Sequence, residues 1–344
     1  MYDVMVIGAG PAGCITAKKM TDAGYNVLLV EKMKIPREKS CSGILIKKSI
    51  NIIENEFGKI PDSILCKPNI SRGIIITNEK NQSFKFESDS LNVWRSLLDK
   101  WLAFKAKNAG AELRQLTSAI SCEEKHDHVS VKLHDGEIYE EKARIIVACD
   151  GAGSIIKKKL FKNPNNYIFT YQTFCKGTIN LDHNFFHAFL HRSLSQYDAW
   201  FNVKDDFLIF GVGIKEPSTM KMYHSKFLSF LNSQFNAQIE SYVKEEIGMM
   251  PNVMPGCPVN LGMGRILFTG EAANFLNPIG EGISSALASG YAAAEAIKSL
   301  YKNNNFNTKF LMNTYKDNIL AEKQYMTRQW AILSTISSKF SNMK

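Results

Sequence analysis

Apolar residues open the chain in two short, continuous runs. Asp3-Val-Met-Val-Ile7 and Gly24-Tyr-Asn-Val-Leu-Leu-Val30 read as strands buried on both faces. Between them, Gly8-Ala-Gly10-Pro-Ala-Gly13 leads into a helical run ending near Ala23. Strand, glycine turn, helix and strand make a βαβ unit. A two-residue period takes over further on, in Tyr167–Phe174, Phe185–Leu190, Ala199–Val203 and Phe207–Val212, and predicts an antiparallel sheet. Residues 308–340 return to helical spacing. Phe310, Leu311, Tyr315, Ile319, Met326 and Trp330 open an apolar stripe that Leu333 and Ile336 continue. The expectation is an α/β protein with an added antiparallel sheet and C-terminal helices.

Composition narrows this picture. A chain of 344 residues with 45% hydrophobic content is long enough for two domains, or for one large α/β domain with an inserted sheet. Seven cysteines do not suggest a disulfide scaffold, and a reducing cytoplasm is expected. The start of the chain lacks the basic and small-residue features of a signal peptide. The uncharged stretch Ile247–Gly264 carries Pro251, Pro255 and Pro258, so no membrane-spanning helix is expected.

The formal charge is +9, but the basic residues come in short scattered groups such as Lys47-Lys48 and Lys157-Lys158-Lys159. That distribution argues against nucleic acid as a partner. From Leu300 to Lys344 there are seven basic and two acidic residues, which points to an acidic electron-transfer protein or a peripheral contact with an anionic membrane.

The N-terminal unit carries a dinucleotide fingerprint. Gly8 allows a tight turn, Gly10 allows backbone to approach a pyrophosphate, and Gly13 allows helix to pack closely on strand. The helix N-terminus presents N–H groups and a positive dipole end to phosphate. Glu31, at the tip of the second strand, is placed to accept hydrogen bonds from ribose hydroxyls.

Two later blocks complete a pattern. Ala143-Arg-Ile-Ile-Val-Ala-Cys-Asp150-Gly151 is a strand running into an Asp-Gly turn. Arg265-Ile-Leu-Phe-Thr-Gly270-Glu271 leads through Asn277-Pro278-Ile-Gly280-Glu281-Gly282-Ile283 into an Ala-rich helix. With the fingerprint, these blocks resemble the three FAD motifs of flavoproteins of the p-hydroxybenzoate-hydroxylase fold. Within that superfamily, Pro36-Arg37-Glu-Lys39-Ser-Cys41-Ser-Gly43 resembles the Cys-Gly-Gly segment of geranylgeranyl-reductase-like enzymes. Ser42 replaces one glycine, the proline loop is a residue short, and Glu271 stands where Asp is usual.

The resemblance implies a Rossmann-like FAD domain built from residues 1–70, 90–165 and 255–300. An interleaved antiparallel-sheet substrate domain would comprise 71–89 and 166–254, and a helical segment would comprise 301–344. It implies cofactor contacts from Gly8, Gly10, Pro11, Ala12 and Gly13, from Glu31, Lys32 and Arg37, and from Cys41 and Arg95. Further contacts are implied for Asp150, Gly151, Gly270 and Glu271, and for Pro278, Gly280, Glu281, Gly282 and Ile283. Arg95 with Asp99 resembles the helix that reaches the cofactor, and an i,i+4 ion pair between them could coexist with that role.

Cys41 would lie beside the flavin ring, as a proton donor, as a shaper of the pocket, or as an ordinary small buried residue. Gln196-Tyr197-Asp-Ala-Trp200-Phe201 resembles an aromatic segment of the reductases, which makes Tyr197, Trp200 and Phe201 candidate pocket residues or sheet core. His183, His187 and His191 recur every four residues, but on a strand successive members, though on one face, lie about 13 Å apart, too far for one metal ion.

The implied activity is FAD-dependent reduction of carbon–carbon double bonds in an apolar, isoprenoid-like substrate. FAD-dependent monooxygenation is the alternative, and a non-catalytic flavin-binding partner is a third reading. Gly211-Val-Gly213 lacks the third glycine and the helix of a second fingerprint. NAD(P)H or a reduced carrier protein is therefore the expected electron donor.

Overall fold

The computed structural model describes residues 1–161, 166–303 and 306–341. The domain boundary expected at 165, and Lys344 of the basic tail, lie outside them.

Two sheets organise the fold. The first is parallel at its centre, in the order Ile266–Phe268, Ile138–Ala148, Tyr2–Ile7, Val27–Val30, Glu112–Arg114. Gly262–Met263 adds antiparallel at one edge, and Ser118–Glu124 with Val129–His134 extend the antiparallel end of Ile138–Ala148. Every side chain from Val4 to Ile7 and from Val27 to Val30 is buried, as continuous apolar runs require.

Helix Pro11–Asp22 starts with proline in its first turn, where the missing N–H costs nothing. It lies against helix Ile283–Lys302 at very short range. A Cβ on Gly290 would sit 2.4 Å from the Ala12 carbonyl oxygen, and Thr16 Oγ1 donates to the Gly290 carbonyl at 3.0 Å. The first domain is thus completed by chain from far beyond the second sheet.

That second sheet runs in the order Gln238–Pro251, Tyr167–Thr178, Phe207–Ile214, Ala199–Lys204, Phe186–Phe189, Leu65–Thr77, Ser83–Val93, Ile44–Leu45. All four runs expected from alternation are strands in it. Leu65–Thr77 and Ser83–Val93 form one antiparallel pair, so boundaries drawn at 70/71 and 89/90 cut through continuous strands. The outer face packs on helix Met220–Phe235 through Phe189, Phe201, Phe210 and Phe227. The inner face looks toward the first domain.

Helices Thr308–Asn318 and Leu320–Ile336 dock on the first domain, where Tyr315 Oη donates to the Phe268 carbonyl at 2.8 Å. The expected stripe is buried from Leu311 to Ile336, whereas Phe310 is exposed. Among the described residues, no helix is long and apolar enough to cross a membrane.

Candidate cofactor and substrate site

The C-terminal ends of the parallel strands and the inner face of the second sheet enclose a cavity of about 730 Å³. Its floor is the turn into helix Pro11–Asp22. Gly8 has φ +102°, and a Cβ there would lie 2.5 Å from the Cys149 carbonyl oxygen. A Cβ on Gly13 would lie 1.9 Å from the Gly8 carbonyl oxygen, so helix and turn meet without side chains between them. Gly10 caps the helix with extended backbone and no side-chain cap, leaving first-turn N–H groups for a bound anion.

One wall is a row of alternating charges. Glu31 is buried, and its Oε2 accepts the Ala9 N–H at 2.9 Å while Oε1 accepts the Met33 N–H at 3.1 Å. Arg37 bridges Glu31 to Asp99, with Nε 3.3 Å from Glu31 Oε2 and Nη2 3.1 Å from Asp99 Oδ2. Arg95 grips the same Asp99 with Nη2 at 3.1 and 3.0 Å from its two oxygens, and reaches Cys41 Sγ with Nη1 at 3.4 Å. Two acids and two bases cancel in charge, which permits their joint burial. Burial pulls the Arg95 guanidinium down, but Asp99 and Cys41 more than reverse this, so it stays charged.

The facing wall holds Asp150, Gly151, Gly270, Glu271, Gly280 and Gly282, with Ile283 below. Asp150 Oδ2 accepts the Ile155 N–H at 3.0 Å, and burial raises its pKa against the opposing hydrogen bonds. Glu271 is paired with Lys39 at 3.2 Å. Glu281 does not line the cavity. Its Oε1 accepts the Ser284 N–H at 2.9 Å, and its Oε2 accepts from Ser284 Oγ at 2.6 Å and Asn277 Nδ2 at 2.7 Å. The carboxylate caps helix Ile283–Lys302 and so fixes the Gly280–Gly282 backbone that does face the cavity. Pro278 is likewise outside the lining.

A glycine cradle at a helix N-terminus, an acid ending the second strand, and a cavity running on to a separate sheet fit FAD. Residues 1–166 match the FAD binding domain family. A digeranylgeranylglycerophospholipid reductase of Methanopyrus kandleri is 29% identical over 92% of this chain and 85% of its own. One from Methanococcus vannielii is 27% identical over 90% of this chain and 80% of its own. Over most of its length the chain is similar to geranylgeranyl-reductase-like FAD-dependent oxidoreductases. Solved structures agree on the fold. A geranylgeranyl bacteriochlorophyll reductase-like protein of Thermoplasma acidophilum gives a TM-score of 0.79 at 22% identity, covering 95% of this chain and 84% of that one. A flavin-dependent brominase gives 0.76 at 18% identity, covering 98% and 90%.

Around the cavity the aromatic candidates separate. Trp200 lies on the inner face of the second sheet and lines the cavity. Phe201, its neighbour on the strand, points the other way and stacks on Phe210 in the outer core, because successive strand residues face opposite sides. Tyr197 is buried against Phe340 of the C-terminal segment. The expectation of three pocket aromatics is therefore corrected to one. His187 likewise sits in the sheet with Nε2 2.9 Å from the Asp182 carbonyl oxygen and its ring beside Phe201.

Several residues around the site were not singled out from sequence. Phe186 and Thr170 line the roof, and Lys39 faces Glu271. Lys204 is buried beneath the Cys41–Gly43 turn, donating to the Val93 carbonyl at 2.6 Å and Asn92 Oδ1 at 3.0 Å. A Cβ on Gly43, whose φ is +68°, would lie 2.5 Å from its amine. Burial lowers the Lys204 pKa, with the Cys66 and Cys41 thiols opposing. The signal was present: Trp200, Asn202 and Lys204 are spaced by two, hence on one face.

Proposed function

We propose that the protein reduces carbon–carbon double bonds of an apolar, isoprenoid-type lipid. The observation that carries this reading is a single cavity that joins the glycine cradle to a roof of Trp200, Phe186, Met249 and Met250, with Cys41 at the junction. Relatives named digeranylgeranylglycerophospholipid reductase support the same substrate class. Bound FAD supplies two-electron hydride chemistry.

The chain's own residues divide the remaining work. Gly10, Ala12 and Gly13 bring backbone N–H groups to the pyrophosphate, Gly8 and Pro11 shape the turn that presents them, and Glu31 with Lys32 holds the adenosine ribose. Arg37 and Arg95 orient that wall through Asp99, and Cys41 shapes the pocket beside the reacting ring. Asp150, Gly151, Gly270 and Glu271 hold the ribityl side. The Gly280–Ile283 backbone offers N–H groups to the electron-rich edge of the ring. Trp200 and its neighbours exclude water and orient the alkene.

The electrons come from NAD(P)H or from a reduced, acidic carrier protein. Gly211 and Gly213 do not form a second nucleotide turn: they sit in strand Phe207–Ile214. The excess positive charge of the C-terminal segment favours an acidic carrier and a peripheral approach to anionic lipid.

The test is the mass of the product after anaerobic incubation of the FAD-loaded protein with dithionite and a geranylgeranyl lipid. The reading expects two added hydrogens per reduced double bond. A product formed only in air and carrying one oxygen would assign the protein to the monooxygenases instead.

A further inference from the structure

Seven carboxylates line the cavity, and six of them are committed. Glu31 is held by Ala9, Met33 and Arg37, and Glu271 by Lys39. Glu38 and Glu246 share Lys244, Glu245 accepts from Tyr171 Oη at 2.6 Å, and Asp150 accepts from Ile155. The seventh is Asp198, which is 4% exposed and whose carboxyl, among the described residues, accepts a hydrogen bond only from its own backbone.

Asp198 is also the best placed of the seven. Two glycines on the neighbouring strand, Gly211 and Gly213, clear the inner face of the sheet. A Cβ on Gly211 would fall 2.1 Å from the Trp200 indole, and one on Gly213 would fall 3.1 Å from Asp198 Oδ1. The indole and the carboxyl therefore lie side by side on the roof, in the rows of Gln172 and Thr170. An uncommitted acid beside the aromatic wall of an alkene pocket is a proton source waiting for a basic carbon.

We infer that Asp198 is the catalytic acid that protonates the substrate carbon during double-bond reduction. This rests on the proposed function. The π bond of the alkene breaks as one carbon receives hydride from the reduced cofactor and the other receives the Asp198 proton. The cofactor is oxidised by two electrons, the alkene is reduced, and the Asp198 carboxylate recovers its proton from water. Cys41 is placed differently: Arg95 Nη1 and the Gly43 N–H both point at its sulfur, at 3.4 Å each, so the sulfur is an acceptor there.

Burial pushes the Asp198 carboxyl up to about 6, against the pull of Lys339. The charged and titratable groups around it are Lys339 from the C-terminal segment, whose amine donates to the Ser195 carbonyl at 3.0 Å, and Tyr197 beside it in the chain. An acid must be protonated to act, so alkene reduction should fall as pH rises through about 6.

The experiment uses the FAD-loaded protein, reduced by light without oxygen and mixed with a geranylgeranyl lipid across pH. Wild type should reoxidise with a rate that falls above about pH 6, and Asp198→Asn should be slower by roughly a hundredfold and flat with pH. Asp198→Glu should recover part of the rate. A second readout needs no turnover: infrared difference spectra between acid and neutral pH should show a protonated carboxyl band that Asp198→Asn removes. Lys339→Met should move that titration to higher pH. Unchanged rate and pH profile in Asp198→Asn, with wild type active, would overturn the assignment alone. Absence of alkene reduction by wild type would overturn the proposed function and this inference with it.

Discussion

Arg95 and Cys41 meet at the junction of the two domains, guanidinium Nη1 to sulfur at 3.4 Å. The contact ties the wall of alternating charges to the loop that borders the roof of the cavity. Cys41→Ala removes the acceptor and leaves Arg95 still held by Asp99. FAD should stay bound, and alkene reduction should slow by at least about tenfold, or roughly 1.4 kcal/mol of barrier. Stopped-flow turnover alongside flavin absorbance separates the two effects.

Asp99 holds both arginines of the same wall, at 3.1 Å from Arg37 and 3.0 Å from Arg95. Asp99→Asn keeps the shape but strands the buried Arg95 and leaves Arg37 with Glu31 alone. Removing one partner of a buried pair costs about 3–5 kcal/mol. Chemical denaturation should report that loss, and FAD affinity should fall with it.

Gly211 gives Trp200 its place. A methyl group there would occupy space held by the indole, 2.1 Å away. Gly211→Ala should cost about 1–3 kcal/mol from overpacking and push the indole into the substrate cavity. Tryptophan fluorescence should shift, and KM for the lipid should rise more than FAD affinity falls.

Ile279, in the proline loop, has φ +59°, a conformation that β-branched residues strongly disfavour. Such strain costs on the order of 1–3 kcal/mol. Ile279→Gly should raise the thermal midpoint, and a lower midpoint would show that the side chain's packing outweighs the strain.

Glu79 anchors the end of the chain by accepting from Ser337 Oγ at 2.7 Å and the Ser338 N–H at 2.8 Å. Burial raises its pKa, but these hydrogen bonds outweigh it and bring the carboxyl down to about 2. A depressed folded value gives stability that is complete above the unfolded carboxyl range and lost as pH falls toward about 2. Hydrogen exchange should show residues 337–341 loosening over that acid window, and Glu79→Gln should show the looser segment already at neutral pH.

Contiguous features were legible from sequence. The βαβ unit, the glycine cradle and the four alternating strands need only local pattern, because each carries its own burial signal. Gln238–Pro251 gave no such signal. It lies at the sheet edge with most side chains in water, and it is held by its ladder to Tyr167–Thr178. Of the charge row only the Arg95–Asp99 pair was legible, because it is local to one helix; Arg37 meets Asp99 only once a distant loop packs against that helix. Phe201 was a different case, since strand alternation alone forbids it and Trp200 from facing one cavity. Glu281 went to a helix cap, a use of acid that looks the same in sequence as a cofactor contact.

The central claim is that one cavity carries electrons from FAD to an isoprenoid double bond. Photoreduced protein, kept free of oxygen and mixed with a geranylgeranyl lipid alone, tests it most directly. The account predicts return of the oxidised flavin absorbance in step with saturation of the lipid. Flavin that stays reduced until oxygen enters, with no saturated lipid formed, would contradict it.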